Sequence, residues 1–171
     1  MKNRIIRSLL FILSSIPLFC AAEQTSAGHK ALWQTTRELK SVWGKQADDV
    51  SQLLKQPLVR TVATADNRFT SATFALMDGT RISDLDVRLW NNGEKSVSLV
   101  SFIVDTPCIT LEQVREHFPD AKLFNIPKGH AVGQLIGYRT ARDDRGLAWA
   151  FSFPEQDSRC LKRITMAKYE Y

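Results

Sequence analysis

The sequence predicts an α+β fold: an antiparallel β-sheet with helices packed on one face, pinned by one disulfide. Three observations predict it. Apolar residues recur at helical spacing through residues 29–55 and again through 110–118. Around those segments the period drops to two, most clearly at Leu85, Val87 and Leu89 and at Leu147, Trp149, Phe151 and Phe153. Two cysteines, Cys108 and Cys160, remain once an export signal is removed.

Residues 1–22 read as that signal. Lys2, Arg4 and Arg7 form a basic start, residues 9–19 are mostly apolar, and Cys20-Ala21-Ala22 supplies small residues before a cut at Glu23. The apolar run is shorter than the ~20 residues of a spanning helix. Lipidation of Cys20 is the competing outcome, and the bulky Phe19 before it argues against that. Losing Lys2, Arg4 and Arg7 lowers the 23 basic side chains to 20, against 18 acidic ones, so the mature charge is +2. That is too small to argue for nucleic acid. The short bacterial-looking signal predicts a periplasmic or secreted protein, in one mature unit over residues 23–171. In an oxidising compartment the even cysteine count predicts a Cys108–Cys160 disulfide. The two positions are 52 apart, a loop worth roughly 4 kcal/mol in the chain-entropy treatment.

Along the mature chain, Leu32, Trp33, Leu39, Val42 and Trp43 predict a helix over 29–43, ended by Gly44. Val50, Leu53 and Leu54 predict a second over 46–55, closed by Pro57. Residues 59–65 and 70–77 read as strands, with Asp78-Gly79 as a hairpin turn. Residues 85–90 alternate, with Leu85, Val87 and Leu89 inward and Asp86, Arg88 and Trp90 outward. After the Asn91-Asn92-Gly93 turn, residues 97–104 are apolar on both faces, the mark of a central strand. Thr110 and Gln113 fit a capping box, with Ile109 and Val114 placed as a hydrophobic staple. Strands are expected over 123–126, 132–139, 147–153 and 160–169. The small face of the third, Ala148, Ala150 and Ser152, suggests close packing there, by a helix for example.

The two halves, 44–105 and 106–171, can be set side by side. Val50 and Leu54 correspond to Val114 and Phe118 at an offset of 64; Leu85, Val87 and Leu89 correspond to Leu147, Trp149 and Phe151 at 62. They read either as a pseudo-duplication or as two unrelated meanders that slide into partial agreement. The pattern, with Thr110 to Val114 opening the helix of the second half, resembles the beta-lactamase-inhibitor-protein-like architecture over roughly residues 46–169. That resemblance implies binding of another protein, often an enzyme to be blocked, rather than catalysis.

The residues name no chemistry of their own. His29, His117 and His130 lie in no metal-binding pattern, and His117 reads as a solvated helix-end residue. No serine sits in a Gly-x-Ser-x-Gly elbow. Asp84 reads as the end of a turn and Asp86 as solvated. No catalytic residue, cofactor or metal is assigned. Two surface features stand as partner contacts: Arg88 with Trp90 on the outward strand face, and the charge-dense loop carrying Arg139, Arg142, Asp143, Asp144 and Arg145. The expected function is a periplasmic protein-binding module that inhibits or neutralises another protein, a toxin or an envelope enzyme, by steric blocking. An envelope structural or assembly factor is the alternative, and an enzyme with a scattered site the remote one.

Overall fold

The computed structural model describes residues 29–61, 67–91, 93–129 and 133–169. The segment expected to be an export signal, with Cys20, most of the strand expected over 59–65, Asn92 and His130 lie outside them. Three helical segments come first or midway: α1 (Lys30–Glu38), running into a 3₁₀ turn at Leu39–Val42, then α2 (Ala47–Leu54), and later α3 (Leu111–His117). The strands are β1 (Val59–Arg60), β2 (Arg68–Thr70), β3 (Phe74–Ala75), β4 (Arg81–Leu89), β5 (Val97–Thr106), β6 (Lys122–Asn125), β7 (Leu135–Arg139), β8 (Leu147–Pro154) and β9 (Arg163–Lys168). They form one antiparallel sheet in the order β1-β2-β4-β5-β9-β8-β7-β6, with β3 also on β4. The α+β prediction holds, and Cys108 is bonded to Cys160.

The order is symmetric about the β5–β9 pair. Each half is a helix followed by a meander, and the last strands of the two meanders pair in the centre. A constant shift of 64 relates them. It carries Val87 opposite Val100 onto Phe151 opposite Ile164, both registered pairs. It carries the Val97 N–H donating to the Lys45 carbonyl onto the Leu161 N–H donating to that of Ile109, each at 2.7 Å. It also carries the N-terminus of α2 onto that of α3. Asp49 accepts from the Gln46 N–H, and Gln113 from the Thr110 N–H, each at 2.9 Å. The halves are therefore a structural repeat. Its strands obey the helices' offset of 64 and not the 62 read from side-chain type. Ser101 and Thr165 differ by 64 and face each other in register, so they sit where the halves meet. The disulfide occupies the place that Gly44 and Ser96 hold in the first half.

The helices cover one face. Leu32, Trp33, Val50, Val114 and Phe118 bury against Val87, Val100, Phe102, Trp149, Phe151 and Ile164. This corrects the packing expected at β8: its large residues, not its alanines, lie under the helices. At roughly 1.5–3 kcal/mol for each large apolar side chain buried, this core dominates stability. The strand expected over 70–77 is broken at 71–73. Asp84 is the reason: it is not a turn end but a mid-strand bulge at φ 47°, where the β4 ladder slips. α1 has no cap of its own, because His29 is left-handed and caps nothing. Its first turn is capped from the β3–β4 turn, where Asp78 Oδ2 accepts from the Leu32 N–H at 3.1 Å.

Candidate functional site

Register assigns side chains to the sheet's other face, which no helix of the described residues covers. One row runs Arg68, Arg88, Leu99, Ala167, Ala148; the next runs Thr70, Asp86, Ser101, Thr165, Ala150, Arg139. In-register partners share a face because the side-chain period is two.

At the first-half end this face is a polar lattice. Asp86 is buried, correcting its expected solvation. Its carboxylate accepts from Arg68 Nε at 2.8 Å and from Arg88 Nη2 at 2.9 Å. Toward the centre, Arg163 pairs with Asp84 and donates to Ser101 Oγ at 3.0 Å; Ser101 Oγ and Thr165 Oγ1 are also 3.0 Å apart. Guanidiniums held this way lose less rotamer freedom when a partner binds.

At the other end the face is aromatic and small. Phe124 shares this face with Lys122 by the two-residue period, and a bulge between Leu123 and Asn125 brings Asn125 opposite Gly137. The Phe124 ring packs over Gly137, where a Cβ would sit only 2.5 Å from Phe124 Cε1, so a larger residue there would displace the ring. The Arg139 guanidinium sits in the corner formed by two rings that meet edge-on, 4.9 Å from Phe124 and 4.7 Å from Tyr169. Among the described residues no carboxylate pairs with it. Burial against the sheet pushes the Tyr169 phenol above its usual range, with Arg139 opposing. Ala148 and Ala150, expected beneath a helix, are buried on this side instead.

The other expected contacts are divided. Arg88 is exposed on the open face, but Trp90 does not stand free beside it: its ring meets Trp43 edge-on at 6.4 Å. In the 139–145 loop, Asp143 builds the turn. Oδ1 accepts from the Leu147 N–H at 2.9 Å and the Arg145 N–H at 3.1 Å, and Oδ2 lies 3.4 Å from Lys40. Its burial would raise the carboxyl, yet these donors and Lys40 hold it below the usual range. Arg142 Nη1 donates to the Tyr169 carbonyl at 3.0 Å. Asp144 and Arg145 are exposed. Of the residues expected to contact a partner, Asp143 and Arg142 are thus engaged within the chain.

Among the described residues no three His, Cys, Asp or Glu side chains gather as a metal site. His117 is not a solvated helix end. It is half-buried and stacked on Trp33, ring centroids 4.7 Å apart, and burial, then Arg37, hold it below its ordinary value against the opposing Glu116. Sequence reasoning missed Phe124, Tyr169, Arg68 and Arg163. The one available signal was Gly137 inside a strand, which marks a close approach.

No protein-family model matches the chain. No curated protein matches it in sequence. Among solved structures it is similar to a DUF4309 family protein, YjgB, from Bacillus subtilis subsp. subtilis str. 168, at 9% identity and a TM-score of 0.50, over 84% of this chain and 97% of that one. At that identity the likeness concerns the fold alone.

Proposed function

We propose that the mature chain is an exported binding module that neutralises another protein, a toxin or an envelope enzyme, by laying the open face of its sheet over that protein's working surface. The single observation behind this reading is Arg139. It is a guanidinium packed against two rings on a sheet face that no helix of the described residues covers, with no carboxylate of the described residues to satisfy it. Arginine and tyrosine in such settings are the usual anchors of protein interfaces. A tandem of helix-plus-meander halves resembling the beta-lactamase-inhibitor-protein-like architecture agrees with it, and so does the export signal in the sequence. The action is steric and needs no chemistry from the chain. Its strength rests on a few preorganised anchors and not on net charge.

The test is capture from a periplasmic extract by the mature protein, identification of what is captured, and assay of that protein's activity with and without the module. Arg139→Ala should weaken capture by at least about tenfold, the equivalent of ~1.4 kcal/mol, with the fold unchanged by circular dichroism. A captured protein that keeps full activity when saturated refutes neutralisation. Equal capture by Arg139→Ala refutes the assignment of this face.

A further inference from the structure

Resting on that reading, we propose that β6 is the docking edge for an extended segment of the partner protein in which acidic and apolar side chains alternate. β6 ends the sheet. It pairs with β7 on one side, and among the described residues nothing pairs on the other. The outward N–H and C=O groups of such an edge are a template for a further strand. The opposite edge, β1, is only two residues long. β6 and the residue after it expose Leu123, Phe124 and Ile126 by 48%, 43% and 59%. Three exposed apolar side chains on an unpaired edge are a template for a partner strand. Lys122 at one end and Pro127 just past the other limit the docking length to residues 122–126.

Charge decides the occupant. Lys122 lies opposite Arg139 on the open face, and Leu123 lies opposite Tyr138 on the helix face, with the Arg115 guanidinium 5.6 Å from the Tyr138 ring. The charged groups at the edge by register or ring contact are thus cations, and the nearby Asp120 carboxylate accepts from the Ala141 N–H at 2.8 Å. Lys122 and Arg139 have no carboxylate partner among the described residues. A second copy pairing edge to edge would offer no acidic side chain over residues 122–126, leaving these cations uncompensated. A strand with carboxylates on the open-face side would meet Lys122 and the ring-packed Arg139 fork, and its alternate apolar side chains would cover Leu123 and Tyr138.

The probe is an end-blocked octapeptide alternating glutamate and valine, with its lysine–valine counterpart as control, titrated at neutral pH into the mature protein and followed by amide exchange and light scattering. The glutamate peptide should slow exchange at residues 122–126 saturably and bind about tenfold or more tighter than the lysine peptide. Lys122→Glu and Ile126→Lys, both at exposed positions, should each weaken it by several-fold. Equal binding of both peptides, protection elsewhere in the sheet, or a peptide-free dimer already protected at β6 overturns the proposal. Capture of the natural partner separates the two ideas. If Lys122→Glu and Ile126→Lys capture it normally while Arg139→Ala does not, edge docking is wrong and the open-face reading stands.

Discussion

Asp78 is the smallest change expected to loosen the largest part of the fold. Its carboxylate accepts from Leu32 of α1, 46 residues away, at 3.1 Å, and from Thr80 in its own turn at 3.0 Å. Among the described residues α1 has no other side-chain cap at its N-terminus. Asp78→Ala removes an N-cap worth about 1 kcal/mol and a turn hydrogen bond worth about 1 kcal/mol more. Because Asp78 is solvent-exposed, water recovers part of each, and the expected loss is about 1.5–2 kcal/mol. In a chain of this size that lowers Tm by roughly 3–8 °C. Asp78→Asn keeps an acceptor and should lose about half as much. Burial would raise this carboxyl, but the donors from Thr80 and Leu32 hold it below 3.8. Its folded value is therefore lower than its unfolded one. Its contribution is complete above about pH 3.8 and is lost as pH falls through the lowered folded value. Urea unfolding of wild type, Asn and Ala from pH 7 down to pH 3 measures this. A difference between wild type and Ala below about 0.5 kcal/mol at pH 7, or one that does not shrink in acid, would refute the capping argument.

Two further outcomes are expected. Cys108→Ser with Cys160→Ser opens a 52-residue loop and should cost about 4 kcal/mol; denatured wild-type protein showing two free thiols without reductant would contradict the bond. His117 is held below its ordinary 6.5, so the unfolded chain protonates first and stability falls as pH drops below about 6.5. His117→Phe, which keeps a ring on Trp33, should flatten that slope in chemical denaturation between pH 7 and 5, and an unchanged slope would place its origin elsewhere.

Local signals in this sequence were legible. The Thr110–Gln113 capping box forms with both hydrogen bonds, at 2.9 and 3.3 Å. The alternation at 85–89 and 147–153 gave strands, and residues 97–104 gave the central one. The site was legible only in part. Arg88 and Arg139 were named for their outward or loop positions, and both stand on the open face. Their partners were not seen. Arg68 reaches Asp86 from 18 residues away and Arg163 reaches Asp84 from 79, and no spacing rule connects such positions. Asp143 was read as a contact because it is charged, although its charge holds a turn together.

The sequence by itself determined the element types, the α+β class and the bridging of Cys108 with Cys160, because periodicity, caps and cysteine count act within a few residues or depend on composition alone. Only the tertiary structure decided which face the helices cover, that the strand offset is 64, and that Phe124 lies on Gly137 with Arg139 packed against its ring. Register is the physical reason. A one-residue slip or a single bulge moves a side chain to the opposite face. The pairing that fixes it, Ser101 against Thr165 at the centre of the sheet, joins residues that become neighbours only when the two halves close on each other.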